Sequence, residues 1–357
     1  MTIGSAPWVS FAASVFALLS WRLVAHDLQL LDRPGGHKTH RGEIPVVGGL
    51  AMYTGFAVAV AMGMPWEHHI VALLGLAGFM VVLGALDDRF NLRPALRLAG
   101  HFVAALGLVY ALHCELHRLG DLFGRESIPL GLLALPFTTV GVVTFINGFN
   151  MLDGLDGLAG TAGLIGFIAL TYVAGIHHLA RPRELAEVMA GAIGAFLIFN
   201  LPLQFSRPLR TFMGDAGSTL LGFIFAALAI EVTRAGPGRV SPVVILWLIP
   251  LPIIEVLTTT VRRIAQGHSP VHADNGHAHH VLLQSGFSVR AIWLIYLFVS
   301  AACAFFGVTA DARGVAHPVL FIGFLAVMAA WTGFVANARR LAVWLPARRR
   351  PDGRAST

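Results

Sequence analysis

The sequence has 357 residues, of which 56% are hydrophobic and 12% are charged, whereas about 25% of the residues in a soluble domain are charged. The 25 basic residues outnumber the 19 acidic ones, and no nucleic-acid-binding motif accompanies them, so we expect membrane lipid and anionic substrates as partners and no nucleic acid. The only cysteines, Cys114 and Cys303, exclude a disulfide framework and a cysteine metal site.

Apolar segments long enough to cross about 30 Å of hydrocarbon recur from end to end. The first lacks a basic leader and a small-residue cleavage pattern, so we interpret it as a retained span rather than a signal peptide. We predict an all-α polytopic membrane helix bundle with eleven spans, at 6–25, 46–63, 70–86, 99–113, 131–147, 158–176, 187–204, 216–233, 243–262, 291–309 and 315–337.

Eleven spans place the two termini on opposite sides of the membrane. The loops after odd-numbered spans, together with the C-terminal end, hold 18 of the 25 basic residues, so the positive-inside rule predicts an outer N-terminus and a cytoplasmic C-terminus. We predict one transmembrane domain over 1–340 and a basic cytoplasmic tail over 341–357. The cytoplasmic catalytic loops are then 26–45, 87–98, 148–157, 205–215 and 263–290.

Paired carboxylates close the third span. Asp87 and Asp88 are adjacent, and like charges at this distance favour a proton acceptor or a metal ligand. The alternative is a polar stop in which Asp88 caps the next turn. Arg93 and Arg97 follow four residues apart and could face one lipid phosphate together.

Polar groups recur every three residues after the fifth span, at Asn147, Asn150, Asp153 and Asp156. On an ideal helix the first and last of these point to opposite faces, so they share a site only if the helix breaks. Oxygen ligands of this kind suit Mg²⁺. The alternative is a pair of Asp-Gly turns joining two spans.

The eighth span opens with Asp215, at a helix start where backbone N–H groups favour anions. Asp215 as a simple N-cap is the alternative for this segment alone. The five aspartates of these three segments, Asp87, Asp88, Asp153, Asp156 and Asp215, all fall on the predicted cytoplasmic side, so we expect them to converge on one site.

The loop 263–290 contains the histidines His277, His279 and His280. Imidazoles are good donors to a diphosphate, and we favour that role. A zinc site is an alternative, although no cysteine accompanies the histidines and their spacing lacks a normal helical pairing; a solvated loop is the other alternative. Glu255 lies inside the ninth predicted span; an intramembrane acid is a candidate for function, but nothing in the sequence assigns it a role.

These segments, together with Arg33–Gly49, resemble the polyprenyl-phosphate N-acetylhexosamine-1-phosphate transferases (glycosyltransferase family 4), from about Asp32 to Phe287. The strongest likeness is to the bacterial branch that transfers GlcNAc 1-phosphate to undecaprenyl phosphate. The resemblance implies a bundle of ten or eleven helices, Mg²⁺ dependence with Mn²⁺ as a further candidate ion, a UDP-N-acetylhexosamine donor and a polyprenyl phosphate acceptor. It leaves a homodimer open.

The resemblance also implies roles for individual residues. Asn150 and Asp215 match the metal ligands of the family, Arg97 matches the residue that holds the lipid phosphate, and the three histidines match the loop that holds the donor diphosphate. The catalytic candidates are Asp87, Asp88, Asp153 and Asp156, and the substrate-binding candidates are Lys38, His40, Arg93, Arg97, Asn147, His277, His279 and His280.

One departure concerns the donor. The family usually reads Asp-Arg-x-His-x-His-His, whereas this chain has Asn275 in place of the arginine. The loss removes a bidentate partner for phosphate or uracil and bears on donor identity and affinity more than on the reaction class.

The expected reaction is transfer of GlcNAc 1-phosphate to undecaprenyl phosphate with release of UMP, at the cytoplasmic face of a bacterial inner membrane. It would start O-antigen-type polysaccharide synthesis. The alternatives are a related transferase that uses another UDP-sugar, such as UDP-MurNAc-pentapeptide, and a metal or proton transporter. A transporter predicts polar groups spread through the membrane midplane, whereas the acids here cluster at span ends.

Overall fold

The computed structural model describes residues 5–32, 42–203, 209–234, 240–269 and 276–342. The predicted substrate-binding residues Lys38 and His40, the Asn275 position and nearly all of the basic tail lie outside these ranges. The described helices are α1 (Ala6–Val24), α2 (Gly48–Gly63), α3 (His68–Phe90), α4 (Pro94–Leu112), α5 (Ala134–Leu152), α6 (Leu158–Ile176), α7 (Ala180–Asn200), α8 (Gly214–Arg234), α9 (Pro242–Leu248), α10 (Pro250–Ala265), α11 (Ala278–Gln284), α12 (Val289–Ala312), α13 (His317–Ala336) and α14 (Ala338–Ala342).

A helix forms within each of the eleven predicted spans, and the all-α polytopic prediction is confirmed. Within the described ranges, eight helices are long and apolar enough to cross a membrane, or nine if a bent pair counts as one span. α2 has only 16 residues, and α7 begins with a charged turn that includes Arg181 and Arg183. The count of eleven spans and the orientation stay predictions.

The ninth predicted span, 243–262, is not one straight helix. The chain bends by 98° between α9 and α10. The bend falls at Ile249, which precedes Pro250; a residue before proline is pushed out of the helical region, and here it has φ −136° and ψ 60°. The bend sends α10 towards the end of α5, where Gly148 leaves room for the carbonyl of Pro252.

The helix α8 lies at the centre of the bundle. Its apolar residues cover nearly the whole circumference, as expected for a helix surrounded by protein, and 83% of its most apolar 18-residue window is buried. It packs against α3 and α5. Its N-terminal turn therefore lies beside the C-terminal ends of both helices, which carry the acidic segments.

A short antiparallel pair of strands supports this end of the bundle. β1 (Leu31–Asp32) pairs with β2 (Ile44–Pro45), with Leu31 opposite Pro45. The Phe212 N–H donates to the Pro45 carbonyl at 2.9 Å. The first polar loop is thus attached to the segment that leads into α8.

Candidate active site

Asp87 is buried at the end of α3 and binds the start of α4. Asn91 ends α3 in the left-handed conformation (φ 49°), so the chain reverses and α4 returns beside α3. The Oδ1 of Asp87 accepts the Leu92 N–H at 2.8 Å, and its Oδ2 accepts from Arg97 Nη1 at 2.9 Å. The Arg97 guanidinium is therefore positioned by Asp87.

Asp88 points away from its neighbour and caps α8. Its Oδ1 accepts the N–H of Asp215 at 2.9 Å, and its Oδ2 accepts that of Ala216 at 3.2 Å. These are orphan donors of the first turn, where negative charge is favoured. Gly214 has φ +71°, and a Cβ there would overlap the Asp88 carboxylate, so the approach requires glycine.

Asp215 joins α8 to α4 and α5. Its Oδ2 lies 3.6 Å from Arg97 Nη1, and its Oδ1 accepts from Asn150 Nδ2 at 2.5 Å. The same amide nitrogen lies 3.1 Å from Ser218 Oγ. Asn150 therefore faces Asp215 with its amide nitrogen, and binding of a shared cation would require the amide to present its oxygen instead.

The predicted helix break falls directly after α5. Asn147 and Asn150 are still helical and one turn apart, and the Asn147 amide donates to the Val143 carbonyl at 2.8 Å. Asp153 ends the helix, and Gly157 (φ +79°) starts α6. Burial, followed by repulsion from Asp215, Asp88 and Asp156, raises the pKa of Asp153 well above its ordinary value.

Asp156 makes a different contact from Asp153. It forms an ion pair with Arg210, whose guanidinium lies 5.0 Å from the Phe212 ring centre. The backbone at Arg210 is held in turn by Arg22 of α1, which donates to its carbonyl at 2.8 Å. In the structure Asp156 thus ties the loop after α5 to the segment before α8.

Sequence reasoning missed Asn200, at the end of α7. The side chain is 4% exposed; its Oδ1 accepts the Gly157 N–H at 2.8 Å, and its Nδ2 donates to the Thr211 carbonyl at 2.9 Å. The same two loops are therefore joined twice. The sequence feature that could have pointed to Asn200 is a polar amide at the end of an apolar predicted helix.

The histidine loop comes back to the acidic loop. His279 is 1% exposed, and neither of its ring nitrogens has a hydrogen-bond partner among the described residues. A Cβ on Gly154 would overlap its Nε2. Burial, followed by repulsion from His280 and His277, lowers the pKa of His279 to about 3, and burial likewise lowers the pKa of His280. Both rings are therefore neutral near pH 7.

One cavity of about 420 Å³ connects these groups. The predicted site residues that line it are Asp87, Arg97, Asn147, Asn150, Asp153, Asp215, His277, His279 and His280. Asp88 and Asp156, which bind other segments, and the exposed Arg93 are not among the lining residues. His101 and Arg263 also line it, and sequence reasoning had picked out neither.

Another part of the cavity wall is apolar. It is formed by side chains of α3, α4 and α5: Leu83, Leu98, Phe102, Val140 and Val143. Val140 is 55% exposed, and an exposed apolar side chain on a spanning helix faces lipid. The cavity therefore has a charged interior and an apolar side towards the hydrocarbon.

The oxygen-rich wall fits a hard divalent cation. Within the described residues no three His, Cys, Asp or Glu side chains form a ready-made metal cluster. Mg²⁺, however, keeps several waters and needs only one or two protein carboxylates. Asp215 and Asp153 supply carboxylates, and their mutual repulsion would be relieved by a cation. The donor set thus suits Mg²⁺.

The fold and the cavity define a polytopic membrane protein with one polar site where several helices end. The sequence model of glycosyl transferase family 4 matches residues 70–233. Relatives named undecaprenyl-phosphate alpha-N-acetylglucosaminyl 1-phosphate transferase align over most of the chain. The Salmonella typhi protein is 32% identical over 84% of this chain and 81% of its own length. The Haemophilus influenzae protein is 31% identical over 95% of both.

The chain therefore belongs to glycosyl transferase family 4, and the family resemblance seen in the motifs is confirmed. The Escherichia coli K12 relative of the same name is 31% identical over 84% of this chain and 82% of its own length. The protein is accordingly a membrane-bound transferase. The individual residue roles stay predictions.

Proposed function

We propose that this chain transfers GlcNAc 1-phosphate from UDP-GlcNAc to undecaprenyl phosphate and releases UMP. The reaction would take place at the cytoplasmic face of a bacterial inner membrane and would start an O-antigen-type polysaccharide. One observation carries the proposal: a single cavity combines the Asp87–Arg97–Asp215 cluster with the buried ring of His279, whose nitrogens have no hydrogen-bond partner within the described part of the chain. Anion-binding and hydrogen-bonding groups face one another there.

The apolar wall suits the acceptor. A polyprenyl chain could lie along Leu98, Phe102 and Val140 while its phosphate reaches Arg97, which is 35% exposed in its side chain. The Asp87 contact holds the guanidinium at the boundary between the two parts of the cavity. Arginine is suited to this task because its planar fork binds phosphate oxygens in pairs.

The histidine wall suits the donor. Neutral His279 and His280 can each donate one N–H to a diphosphate oxygen, and the buried Arg263 adds positive charge on the same cavity. Asn150, Asp153 and Asp215 would hold Mg²⁺ between the walls. When bound, the ion would offset the charge that builds up on the diphosphate during transfer.

We infer a direct in-line displacement; a two-step route through a covalent aspartyl intermediate is the alternative. An acceptor phosphate oxygen attacks the β-phosphorus of the UDP-sugar, a P–O bond forms, and the bond to UMP breaks with its electron pair leaving on UMP. A phosphate monoester with a second pKa of about 6 is already mostly dianionic at neutral pH. Since both Asp87 oxygens hold other groups, we assign Asp87 to orienting Arg97 rather than to proton abstraction.

An assay of UMP release by the purified protein tests the proposal. Each reaction contains undecaprenyl phosphate, Mg²⁺ and one donor: UDP-GlcNAc, UDP-GalNAc or UDP-MurNAc-pentapeptide. We expect UMP and a lipid-linked sugar with UDP-GlcNAc. Product from another donor alone would change the substrate assignment, and absence of UMP with every UDP-sugar would overturn the transferase proposal.

A further inference from the structure

Glu255 is a buried carboxylate, 3% exposed, in the middle of α10. Its hydrogen bonds go to the histidine loop: Oε1 lies 3.0 Å from His277 Nδ1 and 3.1 Å from the Ala278 backbone nitrogen. The bend at Pro250 turns α10 so that this carboxylate lies beneath the start of α11. Glu255, an acid inside an apolar segment, is therefore hydrogen-bonded to His277, a residue of the cavity wall.

The contact determines which nitrogen of His277 meets a ligand. A carboxylate oxygen of Glu255 accepts a hydrogen bond from a protonated Nδ1, which leaves Nε2 of His277 for the cavity that this residue lines. The second bond, from Ala278, fixes the backbone on which the ring is carried.

The orientation of His277 extends to its neighbour. The His277 and His279 rings are parallel, with an interplanar angle of 3° and centres 5.8 Å apart. His279 in turn lies against Gly154, next to Asp153. A rotation of His277 would therefore disturb the stack that joins the histidine loop to the acidic loop.

We propose that Glu255 is a positioning residue that holds His277 with Nε2 directed at the diphosphate of the nucleotide-sugar donor. This inference rests on the proposed function, since it takes that donor as the ligand. It assigns a role in donor binding to an acid that would otherwise only cap α11. Loss of the outer hydrogen-bond partner of a metal-binding histidine typically costs about 10–100-fold in affinity or activity, and we expect an effect of the same order for a histidine that binds a diphosphate.

The test compares Glu255→Gln, Glu255→Ala, His277→Ala and the two double variants in the full chain. The readouts are kcat, the KM of UDP-GlcNAc, the KM of undecaprenyl phosphate and the thermal unfolding temperature. Glu231→Gln is the matched control, because it removes another carboxylate from a spanning helix, at the opposite end of α8 from Asp215. The control should leave both KM values unchanged.

We expect Glu255→Ala to raise the KM of the donor about 10-fold or more and to leave the KM of the acceptor within about twofold. Glu255→Gln keeps an oxygen acceptor but not the charge, so we expect a smaller rise. In the His277→Ala background both substitutions should change the donor KM by less than about twofold, because the group that Glu255 positions is gone.

If the rises in donor KM of the single variants multiply in the double variants, the two residues act independently. That result would overturn the inference and leave the transferase proposal intact. An equal rise in both KM values together with a lower unfolding temperature would also overturn it, since that pattern indicates a purely structural role. If the unmodified protein releases no UMP from any UDP-sugar, the transferase proposal itself fails, and the role of Glu255 in donor binding fails with it.

Discussion

The carboxylate of Asp88 caps the helix that carries Asp215: Asp88 Oδ1 accepts the Asp215 backbone N–H at 2.9 Å. Its neighbour Asp87 instead holds Arg97. Adjacent residues on a helix point about 100° apart, so the two acids at the end of α3 reach different helices. One positions the candidate phosphate-binding arginine, and the other positions the helix start of the candidate metal-binding aspartate.

Asp88→Ala should therefore affect activity through Asp215. Loss of an N-cap lowers the free energy of unfolding by about 1 kcal/mol, which leaves most of the protein folded. We nevertheless expect a clear fall in UMP release, because without the cap the first turn of α8, which carries Asp215, shifts. The control is Asp121→Ala, which removes a carboxylate that accepts the Gly124 N–H at 2.7 Å in a loop outside the cavity. Normal activity in Asp88→Ala would contradict the positioning role.

Asp87 and Arg97 should act as one unit. Asp87→Ala and Arg97→Ala are each expected to lower kcat/KM. Because the two side chains form an ion pair, the double variant should be little worse than either single variant. The loss in Asp87→Ala should be the same at pH 7 and pH 9. Recovery of activity at the higher pH would instead identify Asp87 as a general base.

Removal of divalent metal should abolish activity. With EDTA we expect no UMP release, and added Mg²⁺ should raise the unfolding temperature because a ligand that binds only the folded state stabilises it. Asp215→Asn should lose both the activity and the Mg²⁺-dependent rise, while the control Glu231→Gln keeps both. An equal Mg²⁺ response in Asp215→Asn would exclude Asp215 as a ligand.

Gly154 tests the contact between the acidic and histidine loops. A Cβ in Gly154→Ala would overlap His279 Nε2, so we expect a higher KM for the donor. Gly141→Ala is the matched control on α5, where a Cβ meets nothing within 4 Å; it should keep full activity and gain about 0.5–1 kcal/mol of stability. Unchanged donor KM in Gly154→Ala would show that the contact is dispensable.

The buried His279 predicts a pH dependence of stability. The fold holds the pKa of this ring at about 3, below the usual value of about 6.5, so the unfolded chain binds more protons between these values. The contribution of the neutral ring to the free energy of unfolding is therefore fully present above about pH 6.5. Below that pH it decreases by up to about 1.4 kcal/mol per pH unit.

The raised pKa of Asp153 acts in the opposite direction: its contribution to stability grows as the pH falls and is lost as the pH rises. We therefore compare the unmodified protein with His279→Gln in metal-free buffer between pH 4.5 and 7.5. The difference between their unfolding temperatures should shrink as the pH falls. A difference that is independent of pH would contradict the burial of a neutral ring.

Much of the architecture could be predicted from the sequence because the membrane imposes local rules. Each spanning helix must satisfy its own backbone hydrogen bonds and present about 20 apolar residues, so hydropathy alone located helices such as α3 and α8. Successive loops then lie on alternate sides of the membrane, which predicted that Asp87, Asp153 and Asp215 share one end of the bundle. The family followed from the same motifs.

The tertiary structure decided what each polar residue touches. Whether Asp156 faces the cavity or Arg210, and whether Asp88 binds a ligand or caps α8, depends on partners more than 50 residues away in the sequence. No local pattern encodes such pairings, because they depend on the angles at which helices pack. The bend at Pro250 is the clearest case: it turns Glu255, which the sequence left without a role, towards His277.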